Sequence, residues 1–153
     1  MSKPLSIECA VLSDRYVCAT AALAFAIRAG LPRGAAVQVS MAAAELASNA
    51  VRHAKGGVLE LALVEMPAPA IELICRDRGP GIADVQAALR DGYSRGRDLG
   101  PDDLRRDGLG SGLGAVARAM DELSIESSER GTIVRARKLI RGSTSRGGGR
   151  SPA

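Results

Sequence analysis

Apolar and polar positions along the chain alternate with two different periods. Residues 4–12, PLSIECAVL, read as a first strand. Asp14 opens a helical pattern, DRYVCATAALAFAIRAG, and Gly30 is a suitable C-terminal stop. After LPRG the helical period resumes from about Ala35 to Ala54, with Val37, Met41, Ala44, Ala47, Ser48 and Val51 near one face. Gly56-Gly57 ends it. Two alternating runs follow, VLELALVEM (58–66) and IELICRD (71–77), and the PAPA connection between them predicts an antiparallel hairpin. A short helix is predicted from roughly Ile82 to Arg90. Residues 91–111 are polar, charged and glycine-rich, which predicts a long mobile loop. A third long helix follows at about 112–122, GLGAVARAMDE, and a last hairpin joins LSIES (123–127) to TIVRARKL (132–139) around Gly131. The adjacent hairpins distinguish this order from a doubly wound parallel sheet. They predict an α/β two-layer sandwich, with helices on one face of a mostly antiparallel mixed sheet.

Composition adds limits to that picture. The chain has 153 residues, 46% of them hydrophobic, enough for one domain with a true core. With no Trp and Phe25 as the only Phe, the core must be aliphatic. The net charge is +4, but basic and acidic residues interleave and stacking aromatics are nearly absent. This argues against nucleic acid as a partner. Cys9, Cys18 and Cys75 are widely spaced and form no C-x-x-C, so neither zinc nor a disulfide framework is indicated, and a reducing cytoplasm is expected. No signal peptide and no membrane-spanning run is evident. Residues 141–153, RGSTSRGGGRSPA, read as a disordered basic tail rich in Gly and Ser.

The stretch GLGSGLG (108–114) is the first candidate for chemistry. Residues 110–115 formally match G-x-G-x-x-A, but a dinucleotide site needs an apolar strand directly before it, and here PDDLRRD precedes. No G-K-[ST] follows, so a P-loop also fails. Two readings stay open: a ligand-free hinge, or glycines that bring backbone N–H groups to a phosphate at the start of the third helix.

Three further motifs bear on the choice. In ELASNAVRHA (45–54), Glu45 and Asn49 lie four apart and share one helix face. An amide oxygen is a hard ligand that suits Mg²⁺, and a glutamate one turn away suits a general base. An exposed polar stripe is the alternative. In DRGPGI (77–82), Asp77 ends a strand on the side of Leu73 and Cys75, where its carboxylate can accept a hydrogen bond from an adenine amino group. Gly79 and Gly81 leave room for a flat ring, although the same residues make an ordinary turn. Gly131-Thr132 starts the last strand, as a hairpin turn or as a hydroxyl near the adenine edge. His53, the single histidine, sits near a helix C-terminus and fits capping or packing better than catalysis.

Together, E-x-x-x-N on a helix, D-x-G-x-G after a strand, a glycine-rich run before a helix and G-T on a strand resemble the GHKL ATPase superfamily and its Bergerat α/β sandwich. DGYS (91–94) and GLGSGLGAVARAMDEL (108–123) resemble more narrowly the anti-sigma-factor serine/threonine kinases, above all the RsbT-type switch kinases. The resemblance covers about residues 5–139, and implies a single ATP-binding kinase domain over 1–140. It implies ATP and Mg²⁺ as cofactors, Glu45 as the base and Asn49 as the metal ligand. Asp77 and Thr132 would select adenine, and Gly79 and Gly81 would let the base pack. Gly108, Gly110, Gly112, Leu113 and Gly114 would meet the phosphates. The implied substrate is a STAS-domain antagonist protein, with a PP2C-type phosphatase or a sigma factor as a further partner. An anti-sigma factor that sequesters its partner, with ATP as a structural ligand, uses the same pocket and stays open. So does an ATPase fragment of a histidine kinase, against which the N-terminal strand and helix argue. One departure stands out: RGRDLGPDDLRRD (95–107) is longer and more charged than the corresponding lid of the switch kinases. Arg95, Arg97, Arg105 and Arg106 there are candidates for the γ-phosphate or a partner, or are simply solvated.

Overall fold

A computed structural model describes residues 3–89, 93–94, 97–98 and 112–142. The elements run β1 (Leu5–Cys9), α1 (Asp14–Arg28), α2 (Arg33–Ala54), β2 (Gly57–Val64), β3 (Ala70–Asp77), α3 (Val85–Ala88), β4 (Tyr93–Ser94), β5 (Arg97–Asp98), α4 (Leu113–Ala119), β6 (Glu122–Ser128) and β7 (Gly131–Leu139). The main sheet has the order β1-β2-β3-β7-β6. All four of its pairings are antiparallel, so the mixed component expected from the sequence is not found among the described residues. The strand that follows α4 pairs only with β7 and so enters at the sheet edge as part of a hairpin. Within the stretch predicted as a loop, Tyr93–Ser94 pairs with Arg97–Asp98.

Strand periodicity sorts the sheet into two faces. Leu59, Leu61, Ile71, Leu73, Cys75, Val134 and Ala136 are buried on the helix side. Each large aliphatic side chain there contributes about 1.5–3 kcal/mol. The opposite face carries charge in rows across the strands: Arg76 pairs with Glu60 at 2.9 Å, and Arg137 with Glu122 at 2.9 Å.

The buried face of α2 differs from the one expected from its periodicity. Ala36, Val39, Ala43, Leu46, Ala47 and Ala50 are buried, whereas Val37 and Met41 are 40% and 56% exposed. The reason is the helix's position. It packs against α1 on one side and against the sheet and α4 on others. Alanine lets backbones approach closely on several sides, so small residues take the buried arcs and the larger Val37 and Met41 stay outside. The Ser40 hydroxyl donates to the Ala19 carbonyl at 2.7 Å and fixes the level of α1 against α2.

Helix ends follow local rules. The Asp14 carboxylate accepts the Ala10 and Val11 amides at 2.8 and 2.9 Å, which holds it below the usual carboxylate range. Gly30 takes φ +93° after α1, as its sequence position predicts. At the end of α2 the left-handed residue is Lys55, at φ 58°, with Gly56 following at φ 118°. Cys9, Cys18 and Cys75 are free thiols buried in the core. Burial pushes the Cys75 thiol up to about 12.

Candidate functional site

Asp77, Gly79 and Thr132 gather where the end of α2 meets the end of β3 and the start of β7. Asp77 is the last residue of β3, and its register partner is Thr132 of β7. Its Oδ1 accepts two backbone N–H groups, from Gly79 at 2.9 Å and from Thr132 at 3.1 Å. Two neutral donors on one oxygen orient the carboxylate without cancelling its charge, and leave Oδ2 for another donor. Thr132, 5% exposed, adds a hydroxyl beside that carboxylate.

The turn after Asp77 explains its glycines. At Gly79 a Cβ would collide with Ala54 at the end of α2, so glycine lets the turn close on that helix. At Gly81, φ is +86° and a Cβ would collide with the Ser128 carbonyl oxygen of β6. These glycines therefore admit protein on both sides of the turn. The sequence pattern suggests room for a flat ring there, and does not reveal this constraint from distant segments. Gly131, at φ +141°, brings the start of β7 against the Asp77 carbonyl in the same way.

Glu45 and Asn49 occupy successive turns of α2, both half-buried, as the i, i+4 spacing predicts. Burial pushes the Glu45 carboxyl above the ordinary glutamate value, while Arg15 of α1 and Arg52 of α2 pull it back. The donor set suits Mg²⁺: a neutral amide oxygen with no surrounding cage of carboxylates leaves most of the coordination sphere to phosphate oxygens and water. No group of three or more His, Cys, Asp or Glu gathers around a common point among the described residues. His53 lies exposed in the last turn of α2.

Gly112 is the N-cap of α4 at φ +55°, and a Cβ there would meet no atom within 4 Å. Gly114 is buried in the first turn. Leu113 is 6% exposed and belongs to the core, so any contact with a ligand would come from its backbone. Gly108, Gly110 and the arginines at 95, 105 and 106 lie outside the described residues, as does the side chain of Arg97.

One member of this corner carries no role in the sequence motifs: Ser127. Its Oγ accepts the Ile82 amide at 2.7 Å and lies 2.8 Å from Thr132 Oγ1. The signal was available in the hairpin spacing. A two-residue turn at Glu129-Arg130 sets Ser128 opposite Gly131 and Ser127 opposite Thr132.

Comparison with known proteins is consistent with this geometry. Residues 14–138 match the family model described as histidine kinase-like ATPase domain. The chain is 33% identical over 106 residues to the serine/threonine-protein kinase RsbT of Bacillus subtilis (strain 168), covering 68% of this chain and 72% of that protein. Its fold is similar to that in the crystal structure of the RsbU and RsbW domains of Rv1364c from Mycobacterium tuberculosis. There the TM-score is 0.61 at 18% identity, over 92% of this chain and 34% of the solved chain.

Proposed function

The chain belongs to the histidine kinase-like ATPase domain family, and on that premise we propose that it is an ATP-dependent serine/threonine protein kinase of a partner-switching pathway. The observation that carries the reading is the Asp77 carboxylate, oriented at one oxygen by the Gly79 and Thr132 amides, on a strand packed against the helix that carries Glu45 and Asn49. A base-recognition corner and a candidate proton acceptor with an adjacent metal ligand stand on neighbouring elements.

In this reading Asp77 accepts the adenine amino group, and Thr132 contacts the neighbouring ring edge. Asn49 would hold Mg²⁺, which supplies charge neutralisation at the phosphates when bound. Glu45 takes the proton of a protein Ser or Thr hydroxyl as that oxygen bonds to the γ-phosphorus and ADP leaves. Its raised proton affinity suits a general base. Burial makes the carboxylate more basic, and Arg15 and Arg52 oppose that shift. Gly112 and Gly114, with Gly108 and Gly110 ahead of them, are the proposed phosphate-side backbone.

The proposed substrate is a STAS-domain antagonist, whose phosphorylation frees the kinase for a PP2C-type phosphatase or a sigma factor. Incubation with Mg-ATP and a cognate STAS-domain protein, followed by mass spectrometry, tests this. Phosphoserine or phosphothreonine on the STAS protein is expected. Stable complex formation without phosphate transfer would instead favour a sequestering anti-sigma factor.

A further inference from the structure

The Ser127 hydroxyl joins three parts of the corner. It accepts the Ile82 amide, meets Thr132 Oγ1, and stands in the same lateral row as Asp77, since Ser127 pairs with Thr132 and Thr132 with Asp77 across three strands. A serine oxygen that has taken an amide proton still has its own proton to give. Thr132 Oγ1 lies 2.8 Å away, and across that contact either hydroxyl can be the donor. Thr132 is buried, so its hydroxyl is oriented by this neighbour rather than by bulk water. If Ser127 is the donor, Thr132 Oγ1 is the acceptor of that bond and its own proton points away from Ser127.

We propose that Ser127 is a specificity-determining residue for the nucleotide base: it fixes Thr132 as a hydrogen-bond donor beside Asp77 as an acceptor, and so selects adenine over guanine. The assignment rests on the ATP-binding reading above. Adenine presents an amino donor next to a ring-nitrogen acceptor. Guanine presents a carbonyl acceptor next to a ring N–H donor at the same edge. An acceptor–donor pair matches the first and opposes the second at both positions, and a buried polar group left facing its own kind costs more than a contact merely lost. Without the Ser127 hydroxyl, Thr132 can turn its proton inward and accept instead, which removes half of the discrimination. The turn that carries Gly79 and Gly81 stays seated meanwhile, because Gly79 packs on Ala54 and Gly81 on the Ser128 backbone.

Calorimetric titration of the full chain with Mg-ATP and with Mg-GTP tests this. The wild type is expected to prefer ATP. Ser127→Ala is expected to narrow the ATP-to-GTP affinity ratio roughly tenfold, whereas Ser127→Thr, which keeps the hydroxyl, retains it. Ser127→Cys keeps the shape but donates weakly, and falls between them; it carries the test if the alanine variant does not fold. Thr132→Val narrows the ratio as far as Ser127→Ala, and the double variant goes no further. If Ser127→Ala or Ser127→Cys weakens both nucleotides equally and leaves the ratio unchanged, Ser127 only supports the Ile82 turn and the proposal is overturned. A wild-type chain that binds neither nucleotide overturns the ATP reading itself, and this assignment with it.

Discussion

The two ends of the β3–β7 ladder treat charge in opposite ways. At the Ala70–Leu139 end, cations are met by full or partial negative charge. Arg137, 8% exposed, donates to Glu122 at 2.9 Å and to the carbonyls of Met66 and Ala68 at 3.2 and 3.0 Å, with Glu72 alongside at 3.8 Å. Lys138 donates to the carbonyl of Ala119, the last residue of α4, at 2.7 Å, where the helix dipole is negative. At the Asp77–Thr132 end, the carboxylate is held by two backbone amides at a single oxygen. Cations shared between carboxylates and backbone carbonyls tie the β2–β3 connection and α4 to the sheet. Charge held by neutral donors keeps its field and an open acceptor. The first pattern builds architecture and the second leaves a group fit to bind.

Four substitutions press on that difference. The largest effect is expected at Asn49→Ala, which removes the proposed metal ligand from a solvent-reachable helix face. Phosphate transfer should fall by roughly 10³-fold while thermal unfolding is nearly unchanged; normal transfer would rule Asn49 out as the ligand. Next is Asp77→Asn. The amide oxygen can still accept from Gly79 and Thr132, but the outward atom becomes a donor. Nucleotide affinity should drop about 100-fold with little loss of stability. Arg137→Met should do the reverse. It strands Glu72, Glu122 and two loop carbonyls, for a loss of about 2–3 kcal/mol in denaturant unfolding, with nucleotide affinity held within about twofold. If Arg137→Met weakened nucleotide binding as much as Asp77→Asn, the two ends would not be independent.

The smallest effect concerns Glu45. Its folded-state proton affinity is raised, so the folded chain holds that proton to higher pH than the unfolded chain. The linked stability is therefore full below the unfolded glutamate value and is lost as pH rises through the folded one. Glu45→Gln removes this loss. Its melting temperature should exceed the wild type by about 1–2 °C at pH 7, with the difference vanishing below about pH 4. A variant less stable than wild type at pH 7 would mean the carboxylate makes a stabilising contact there.

The sequence was most informative where geometry is local. Glu45 and Asn49 share a face because an α-helix repeats every 3.6 residues, and Asp77 joins Leu73 and Cys75 because a strand repeats every two. Gly30 stops α1 for a purely local reason. Local pattern misleads where several neighbours compete for one element. Val37 and Met41 look like core in the sequence, yet alanines occupy the buried arcs of α2 because α1, α4 and the sheet all close on that helix. The Leu113 side chain belongs to the core, which leaves only its backbone to the phosphate motif.

What the sequence alone determined is the long helices and main-sheet strands, the two hairpins they form and the chemical types at the candidate site. Each follows from period, turn chemistry and spacing within a few residues. Only the tertiary structure decided that Asp77, Thr132 and Ser127 form one row. That depends on β7 being inserted between β3 and β6, a pairing between segments 55 residues apart for Asp77 and Thr132. It also decided why Gly79 and Gly81 are glycines, since the atoms that exclude a side chain there belong to α2 and β6. Contacts of that kind depend on where distant strands settle, and no local period encodes them.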